Sequence, residues 1–480
     1  MLAGMSPQVR QPILEPGSTC WKVARAARFV LLPDGESYMP AIRAALARAQ
    51  YSIVLVGWDF DPRIPVDPAA GSDDEASRLC DLFAGLLARR PSLRIHVLIW
   101  DMSLLFTWQR RNRPQQAARW LPSPVQYRLD SCHPFGASHH QKLLVVDDAL
   151  AFCGGADFTR NRWDTRAHLS GDPRRRGVDG DIYPPRHEVM AAVDGDAASC
   201  LADVARDRWQ RAAGAPLQRI LAASDPWPDG LVPDVVDANV GVVRTLPAYG
   251  GHGEVREVEE LHVRAIARAR RWIYIENQYF TAPVIGAALA ARLAEAEGPE
   301  VLVIGPLHSG GRADRLSMDR ARNALVQKLR AVDRHGRFRA LAPLTSAGEA
   351  IIVHSKVMVV DDRLFRVGSA NLNQRSFGLD TECDLCIEAE AADERTRQAV
   401  VQLLARLLAE HLGCEAAEVL AGIQRTGRLL ATCDAITPAL RRLEAVGMEP
   451  LTLADRVIAH RHLYDPAGVA DNWRPWRRRA

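Results

Sequence analysis

The 480-residue sequence has almost no excess of charge of either sign. It contains 61 Lys and Arg residues and 58 Asp and Glu residues, which gives a formal net charge of +3. The molecule as a whole therefore exerts no strong attraction on a polyanion, and any affinity for phosphate groups must come from a local cluster of cations. A nucleic-acid partner is not expected, because such partners usually require a basic patch or stripe.

Long apolar runs and regular cysteine spacings are also missing. No stretch of about 18 uncharged apolar residues occurs, so no transmembrane helix is predicted, and the first twenty residues lack the apolar core of a signal peptide. The nine cysteines are scattered, which predicts free thiols in a reducing compartment. Cys383 and Cys386 would face opposite sides of a strand, so a metal or redox pair is not expected. These features predict a cytoplasmic protein that meets any membrane peripherally, from solution.

One polar pattern occurs twice in otherwise apolar surroundings. The segments "HHQKLLVVDD" (139–148) and "HSKVMVVDD" (354–362) each contain a histidine, a lysine two positions later and an aspartate five positions after the lysine. A single copy is common at the start of a buried strand. Two copies at equivalent places of a repeat indicate a site. The residues are His140, Lys142 and Asp147 in the first copy and His354, Lys356 and Asp361 in the second.

The repeat extends beyond this pattern. "ARAQYSIVLVGWDF" (47–60) aligns with "ARARRWIYIENQYF" (267–280), and "GGAD" (154–157) aligns with "GSAN" (368–371). Each half reads as helix, strand, helix, strand, linker and then the His/Lys strand, which is typical of an α/β sheet. We therefore predict an α/β protein of two pseudo-symmetric sandwich repeats packed face to face around one active site. The first repeat covers 1–221, a proline-rich linker 222–234, and the second repeat, with a C-terminal helical extension after about residue 392, covers 235–480.

The residue types in this pattern suit phosphodiester chemistry. Residues two apart on a strand share a face, so each histidine projects beside its lysine. If the halves face each other, two lysines can neutralise the charge that builds on a phosphodiester in the transition state. One histidine can attack phosphorus while the other protonates the leaving alcohol and later activates water or another alcohol. This chemistry needs no metal and no cofactor, and the lysines would repel a cation.

Further candidates follow each motif. Glu188 and Glu382 open apolar strands downstream of His140 and His354, and each is predicted to hold the outer ring nitrogen of the histidine that precedes it. Asp147 and Asp361 complete the motifs, but their odd offset from the histidine and the lysine predicts that they hold a turn. Phosphate-binding candidates are Asn371, Ser369 and Asp157, although an ionised Asp157 cannot donate a hydrogen bond.

The duplicated His-x-Lys-x4-Asp pattern resembles the phospholipase D superfamily. The resemblance runs from "SYMPAIRAALARAQYSIVLVGWDFDP" to about residue 390 and includes "GGADFTRNRWD" (154–164), "IYIENQYF" (273–280) and "GSANLNQRSFGLDTE" (368–382). It implies hydrolysis of a phospholipid headgroup ester to phosphatidic acid, or transfer of the phosphatidyl group to an alcohol. By the family pattern His140 is the nucleophile and His354 the acid/base, although the sequence itself does not break this symmetry.

Alternatives within and outside the superfamily remain open at this stage. A cardiolipin synthase-like phosphatidyltransferase or a nuclease would share the same motifs, whereas a non-catalytic scaffold should have lost one of them. The phospholipase interpretation predicts a phospholipid partner at a membrane surface, and we expect a monomer. The insertion at 165–185, with Arg174, Arg175 and Arg176, and the tail with Trp473 and Trp476 are candidates for contact with anionic lipid; a solvated basic loop and a frayed terminus are the alternatives.

Overall fold

The structure is a computed structural model that describes residues 11–66, 68, 78–102, 114–311, 315–436, 441–453, 455, 459 and 465–469. The strands are β1 (Lys22–Pro33), β2 (Ser52–Gly57), β3 (Arg94–Trp100), β4 (Gln126–Asp130), β5 (Leu143–Val146), β6 (Leu150–Gly154), β7 (Arg186–His187), β8 (Val189–Asp194), β9 (Val235–Leu246), β10 (Val255–Arg256), β11 (Trp272–Asn277), β12 (Glu300–Ile304), β13 (Phe338–Thr345), β14 (Ile352–Val353), β15 (Lys356–Val360), β16 (Leu364–Gly368), β17 (Glu382–Glu388) and β18 (Arg441–Ala445). The helices are α1 (Asp34–Arg48), α2 (Leu79–Arg89), α3 (Pro114–Ala117), α4 (Gly195–Ala213), α5 (Glu257–Arg268), α6 (Pro283–Ala294), α7 (Arg320–Val332), α8 (Gln374–Gly378), α9 (Glu394–Leu412), α10 (Ala416–Thr426) and α11 (Leu429–Ala435).

The two halves repeat one arrangement of strands. In the first, β2, β3 and β4 are parallel, and β5, β6 and β8 follow β2 in antiparallel order. In the second, β11, β12 and β13 are parallel, and β15, β16 and β17 follow β11 in antiparallel order. The strands before and after the His/Lys segments therefore occupy equivalent places, which confirms the duplication.

The helices α1 and α5, which precede β2 and β11, bury the same face in the two halves. In α1 the buried positions include Tyr38, Ala41 and Ala45, with a spacing of three and four that forms one apolar stripe. In α5 the buried Val258, Leu261 and Ala265 lie 220 positions later. This is the shift that aligned the two segments in the sequence, so the pattern of burial follows the pattern of the repeat.

The halves are joined edge to edge and also pack face to face. The long strands β1 and β9 pair antiparallel and merge both half-sheets into one 16-stranded sheet. The sheet curls so that β6 and β8 contact β16 and β17, and apolar residues of both halves share one core, such as Cys153 and Val189 with Val367 and Leu385. The predicted α/β repeats are confirmed, and the continuous sheet was not anticipated.

The segments at 222–234 and after residue 392 differ in structure. Residues 222–234 contain no helix or strand, whereas α9, α10 and α11 follow β17. The extension after residue 392 is not wholly helical, because β18 follows α11 and pairs antiparallel with β13. The domain boundaries at 221 and 235 remain predictions. No helix among the described residues is both long enough and apolar enough to cross a bilayer.

Asp147 and Asp361 hold the backbone at the starts of β2 and β11. The Asp147 carboxylate accepts hydrogen bonds from the backbone N–H groups of Gln50, Tyr51 and Ser52, each at 2.8 Å. Asp361 accepts from Arg270, Arg271 and Trp272 at 2.8–3.0 Å. Both aspartates have positive φ, 54° in each case, and sit in the turn after the His/Lys segment. These contacts fit the turn-holding role and leave no oxygen free for acid–base chemistry.

Replacing Asp147 with alanine is expected to lower the free energy of unfolding by about 1–3 kcal/mol, because three backbone N–H groups, that of Ser52 buried and the other two partly buried, lose their acceptor. Urea denaturation measures the change, and Asp229→Ala, at an exposed aspartate, serves as the control. A variant that unfolds normally but has lost turnover would instead assign Asp147 to the chemistry.

Candidate active site

The His/Lys segments meet where the two repeats exchange backbone hydrogen bonds. His140 and Lys142 lie just before β5, not within it as the pattern predicted, and the His140 N–H donates to the Thr381 carbonyl of the other repeat at 2.9 Å. His354 lies between β14 and β15, and its N–H donates to the His187 carbonyl at 2.9 Å. Each histidine is thus fixed by a strand of the opposite half.

The carboxylates that orient the histidines are exchanged between the repeats. His140 Nδ1 lies 2.9 Å from Glu382 Oε2, and His354 Nδ1 lies 2.8 Å from Glu188 Oε1. The prediction that each glutamate contacts the histidine of its own repeat is therefore wrong. The two halves face each other, so the segment that contains each glutamate lies against the His/Lys motif of the other repeat. Since Nδ1–H donates to the carboxylate, Nε2 of each ring keeps its lone pair.

Burial and neighbouring cations hold both imidazoles in the neutral form. Burial lowers the pKa of His140 well below its usual value, and the ammonium groups of Lys142 and Lys356 lower this pKa further. Burial likewise lowers the pKa of His354 well below the usual value, with added effects from Lys356, Arg186, Arg162 and Lys142. Lysines of both repeats therefore lower the pKa of each ring, as expected if the two motifs converge.

The two lysines have different surroundings. Lys142 Nζ lies 3.2 Å from Asp157 Oδ2 and donates to the His140 carbonyl at 2.9 Å. Lys356 Nζ donates to the His354 carbonyl at 2.5 Å and to Gln278 Oε1 at 3.3 Å. Burial lowers the pKa of both ammonium groups. The charge of Lys142 is thus partly compensated, whereas Lys356 faces a neutral amide.

The phosphate-binding candidates have three different environments. Asp157 binds Lys142 and accepts from the Trp58 N–H at 2.8 Å, so it positions the lysine and does not donate to phosphate. The Ser369 hydroxyl donates to Glu382 Oε2 at 2.5 Å, which makes it a support of the glutamate, contrary to the prediction. Asn371 is buried, and its side-chain oxygen has no hydrogen-bond partner among the described residues. Because this oxygen is an acceptor, its lack of a partner does not bear on donation to phosphate, and the phosphate-binding role of Asn371 remains a prediction.

Several residues of the site were missed by sequence reasoning. Arg162 lies 3.8 Å from Glu188 and 4.0 Å from Asp157, and Arg186 donates to Glu188 at 3.3 Å. The Trp58 ring lies edge-on to His140, with the ring centres 6.3 Å apart. The alignment of 47–60 with 267–280 carried a signal, because Trp58 and Gln278 are equivalent positions that each contact the lysine region. Arg162 stood within the quoted "GGADFTRNRWD" segment.

Gly155 explains the second glycine of "GGAD". A Cβ atom at this position would lie 2.5 Å from Glu188 Oε1 and 3.1 Å from the His354 carbonyl oxygen. No side chain fits between the two repeats here, so glycine allows the His354–Glu188 pair to approach the first repeat. The equivalent position in the second repeat is Ser369, whose side chain is used to hold Glu382.

The basic insertion offers fewer cations to lipid than its sequence suggested. Arg175 is fully buried and binds Asp164 at 3.1 Å, whereas Arg174 pairs with Asp172 and keeps about half of its side chain exposed. Arg176 is exposed. Lipid contact by Arg175 is therefore ruled out by its burial. Trp473 and Trp476 lie outside the described residues.

Replacing Glu382 with glutamine is expected to lower kcat by about 10²–10⁴-fold, because His140 loses the carboxylate that fixes its tautomer and stabilises its cation. The imidazole of His140, in the other repeat, should be the ring whose NMR titration changes, while that of His354 should not. Glu390→Gln, at an exposed glutamate, is the matched control. A change confined to His354 would contradict the exchanged pairing.

The fold and the site together define a duplicated α/β protein with one histidine–lysine site between its halves. A family model described as "Cardiolipin synthase, PLD-like domain" matches residues 262–405. Phospholipase D A of Dictyostelium discoideum is 27% identical over 460 residues, covering 80% of this chain and 35% of that protein. Phospholipase D1 of Schizosaccharomyces pombe is 27% identical over 393 residues, covering 62% of this chain and 28% of that protein. These similarities support membership of the phospholipase D superfamily.

A solved structure agrees on the fold. The crystal structure of phosphatidylserine synthase from Haemophilus influenzae Rd KW20 superposes with a TM-score of 0.55 at 14% identity, covering 87% of this chain and 96% of that one. At this identity the likeness concerns the fold alone. The present chain spans only about a third of the length of the two phospholipases D named above.

Proposed function

We propose that this protein is a phospholipase D-type phosphodiesterase that cleaves the headgroup ester of phospholipids, or transfers the phosphatidyl group to an alcohol, through a covalent phosphohistidine. The observation that carries the proposal is the pair of exchanged His–Glu contacts with a lysine from each repeat beside them. Two neutral imidazoles with free Nε2 atoms and two ammonium groups around one space suit a single phosphodiester anion.

The chemistry divides between the two rings. In the first step, Nε2 of one histidine attacks phosphorus and the bond from phosphorus to the headgroup oxygen breaks. The other imidazole, which takes up a proton from solvent when the phosphodiester anion binds between the rings, gives that proton to the headgroup oxygen. In the second step the same imidazole takes a proton from water or an alcohol. The oxygen of that molecule attacks phosphorus, and the N–P bond breaks. Lys142 and Lys356 stabilise the equatorial phosphate oxygens in both steps, and no metal or cofactor is part of the scheme.

The surroundings of the rings bear on which histidine attacks. Two acids, Asp157 and Asp380, raise the pKa of His140 against the effect of burial and the lysines. For His354 the leading influences all lower its pKa. Both pKa values are nevertheless lowered well below the usual value, so these charges do not distinguish the two roles. Trapping of the covalent intermediate decides the order of attack.

Purified protein incubated with vesicles of phosphatidylcholine, phosphatidylethanolamine or phosphatidylglycerol, with and without ethanol, tests the proposal. Phosphatidylethanol is expected with ethanol and phosphatidic acid without it, since both acceptors consume one intermediate. Cleavage of bis-p-nitrophenyl phosphate and DNA, but of no phospholipid, would contradict the proposal in favour of a nuclease.

A cardiolipin synthase-like phosphatidyltransferase is the second candidate, favoured by the family model that matches residues 262–405. Cardiolipin formed from phosphatidylglycerol, at rates above those of hydrolysis, would select it. For either activity we propose a monomer that works from the cytoplasm at a membrane surface. The nine unpaired cysteines support the reducing compartment.

The low pKa values of the imidazoles predict the acid limb of the reaction. A base with a lowered pKa stays unprotonated as the pH falls through 6.5, the ordinary value for histidine. The kcat/KM profile for bis-p-nitrophenyl phosphate should therefore keep its plateau below pH 6.5 and decline only in more acidic solution. An acid limb centred above pH 6.5 would show that the free enzyme holds a protonated imidazole where we expect a neutral one.

A further inference from the structure

A second group of buried ionisable side chains joins the repeats away from the catalytic lysines. It contains Asp34 at the start of α1, His168 in the insertion at 165–185, His187 in β7 and Glu410 in the last turn of α9. All four residues are buried, and one ligating atom from each lies within 4.8 Å of the others. Nothing in the proposed phosphodiesterase chemistry uses them.

The separations between these atoms, from 2.5 to 3.7 Å, bracket those in a tetrahedral metal site. His187 Nδ1 lies 3.4 Å from Asp34 Oδ1, and His168 Nε2 lies 3.7 Å from Asp34 Oδ2. Glu410 Oε1 lies 3.0 Å from His168 Nε2 and 2.5 Å from His187 Nδ1. Ligands of Zn²⁺ at about 2.0–2.1 Å from the metal lie roughly 3.3 Å from one another in a tetrahedron. A small outward movement of Glu410 would complete such an arrangement.

The outer nitrogen of each ring is held as in metal-bound histidines. His168 Nδ1 lies 2.9 Å from Asp164 Oδ2, and His187 Nε2 lies 2.9 Å from Glu276 Oε2. Glu276 is in turn held by the Tyr274 hydroxyl at 2.6 Å. A ligating histidine almost always donates its other N–H to a carboxylate or a carbonyl, which fixes the ring and its tautomer. Both rings have this support.

Asp34 supplies an independent indication of a missing partner. Its side chain is 1% exposed, and its Oδ2 atom has no hydrogen-bond donor in the part of the chain that the structure describes, although the atom lies 3.7 Å from His168 Nε2. Its φ of +56° is rare outside glycine and is a strained conformation that functional sites retain. A buried carboxylate oxygen without a donor is costly, and a cation would satisfy it.

We propose that Asp34, His168, His187 and Glu410 bind one divalent transition metal ion, for which the two-nitrogen, two-oxygen ligand set and tetrahedral spacing favour Zn²⁺. The ion replaces one proton on each ring, so the net charge of the cluster is unchanged. All four ligands come from protein, which is typical of a structural site with no open position. The ion connects the first repeat and its insertion to helix α9 of the second repeat.

The proposed metal site also adjoins residues that position the catalytic histidine His354. His187 is followed by Glu188, which holds His354, and the His187 carbonyl accepts the His354 N–H. Loss of the ion is therefore expected to loosen the second catalytic histidine as well as the contact between the repeats. Sequence reasoning found no metal cluster because the four ligands lie at positions 34, 168, 187 and 410, without local spacing.

Metal analysis of the whole protein tests the proposal. After incubation with Zn²⁺ and gel filtration in metal-free buffer, inductively coupled plasma mass spectrometry should find about one zinc per chain. Asp34→Asn and Glu410→Gln should lower the occupancy by at least about tenfold, as losses of ligands do. Removal of the ion by 1,10-phenanthroline should lower Tm by about 5 °C or more. Co²⁺ in its place should give the visible absorption of a tetrahedral ion.

Matched variants separate this site from the catalytic one. His335→Gln, at an exposed histidine, and His140→Asn should both keep the metal. The proposal would be overturned if the wild-type protein held less than about a tenth of an equivalent of zinc and the chelator left Tm unchanged. The four side chains would then be a hydrogen-bonded network with protonated histidines and no metal ion. Full occupancy in both Asp34→Asn and Glu410→Gln would also overturn it. If the variants fail to fold, the wild-type measurements still decide.

Discussion

Replacing either His140 or His354 with asparagine is expected to lower kcat by roughly 10⁴–10⁶-fold, because each ring carries a step that no other side chain can take over. Asparagine has an amide that can still donate to Glu382 or Glu188, so the partner carboxylate does not lose its hydrogen bond. The fold should persist, as measured by an unchanged circular dichroism spectrum and Tm. His335→Asn, at an exposed histidine, is the control. Turnover that survives either substitution would remove the basis of the phosphohistidine scheme.

The same two variants reveal the order of attack. A substrate with a p-nitrophenolate leaving group needs little protonation, so the variant that lacks the acid should still form the covalent intermediate and give a burst. The variant that lacks the nucleophile should give none. A burst in His140→Asn assigns the attack to His354, whereas a burst in His354→Asn assigns it to His140, as the family pattern implies.

Replacing Lys356 with methionine is expected to lower kcat by about 10²–10³-fold, since an ammonium that meets the growing charge on the phosphate oxygens is lost in a dry site. Methionine preserves most of the side-chain volume. Among the described residues Lys356 forms no ion pair within 4.0 Å, and the buried Glu188 that acts on its charge keeps its hydrogen bonds to His354 and Arg186, so Tm should change little. Lys328→Met, at an exposed lysine, provides the control. Loss of stability without loss of kcat would assign Lys356 to the fold.

The equivalent change in the first repeat should behave differently. Lys142→Met leaves the buried Asp157 carboxylate without its cation, so it should reduce stability as well as turnover. Adding Asp157→Asn should restore stability but not turnover. This double variant separates the electrostatic part of the effect from the structural part, which the single variant cannot do. Recovery of both would show that Lys142 acts only by neutralising Asp157.

Sequence patterns predicted the parts of this molecule that depend on neighbouring residues. The strands and helices of each half follow local apolar periodicity, and the duplication places His140 beside Lys142 and His354 beside Lys356. The turn role of Asp147 followed from its odd offset and was found in its three backbone contacts. Each of these features is determined within a short segment or by comparing two copies of one segment.

Features that depend on how the halves meet escaped prediction. The exchange of Glu188 and Glu382 depends on which strand end faces which motif, and Thr381 sets this by accepting the His140 N–H from the other repeat. Ser369 resembled a phosphate donor because its hydroxyl is short and polar, but a buried carboxylate lies nearer. The buried cluster around His187 combines positions more than 200 residues apart. Such contacts have no periodicity in the sequence.

The exchanged glutamates suggest how the duplication arose. A protein of one repeat could not orient its own histidine, because the carboxylate for that ring would lie on another molecule. Its ancestor would have had to work as a symmetric dimer, with two identical subunits completing one centre. After fusion into a single chain, the two copies could diverge in sequence. Only then could one copy carry an aspartate at 157 and the other an asparagine at 371.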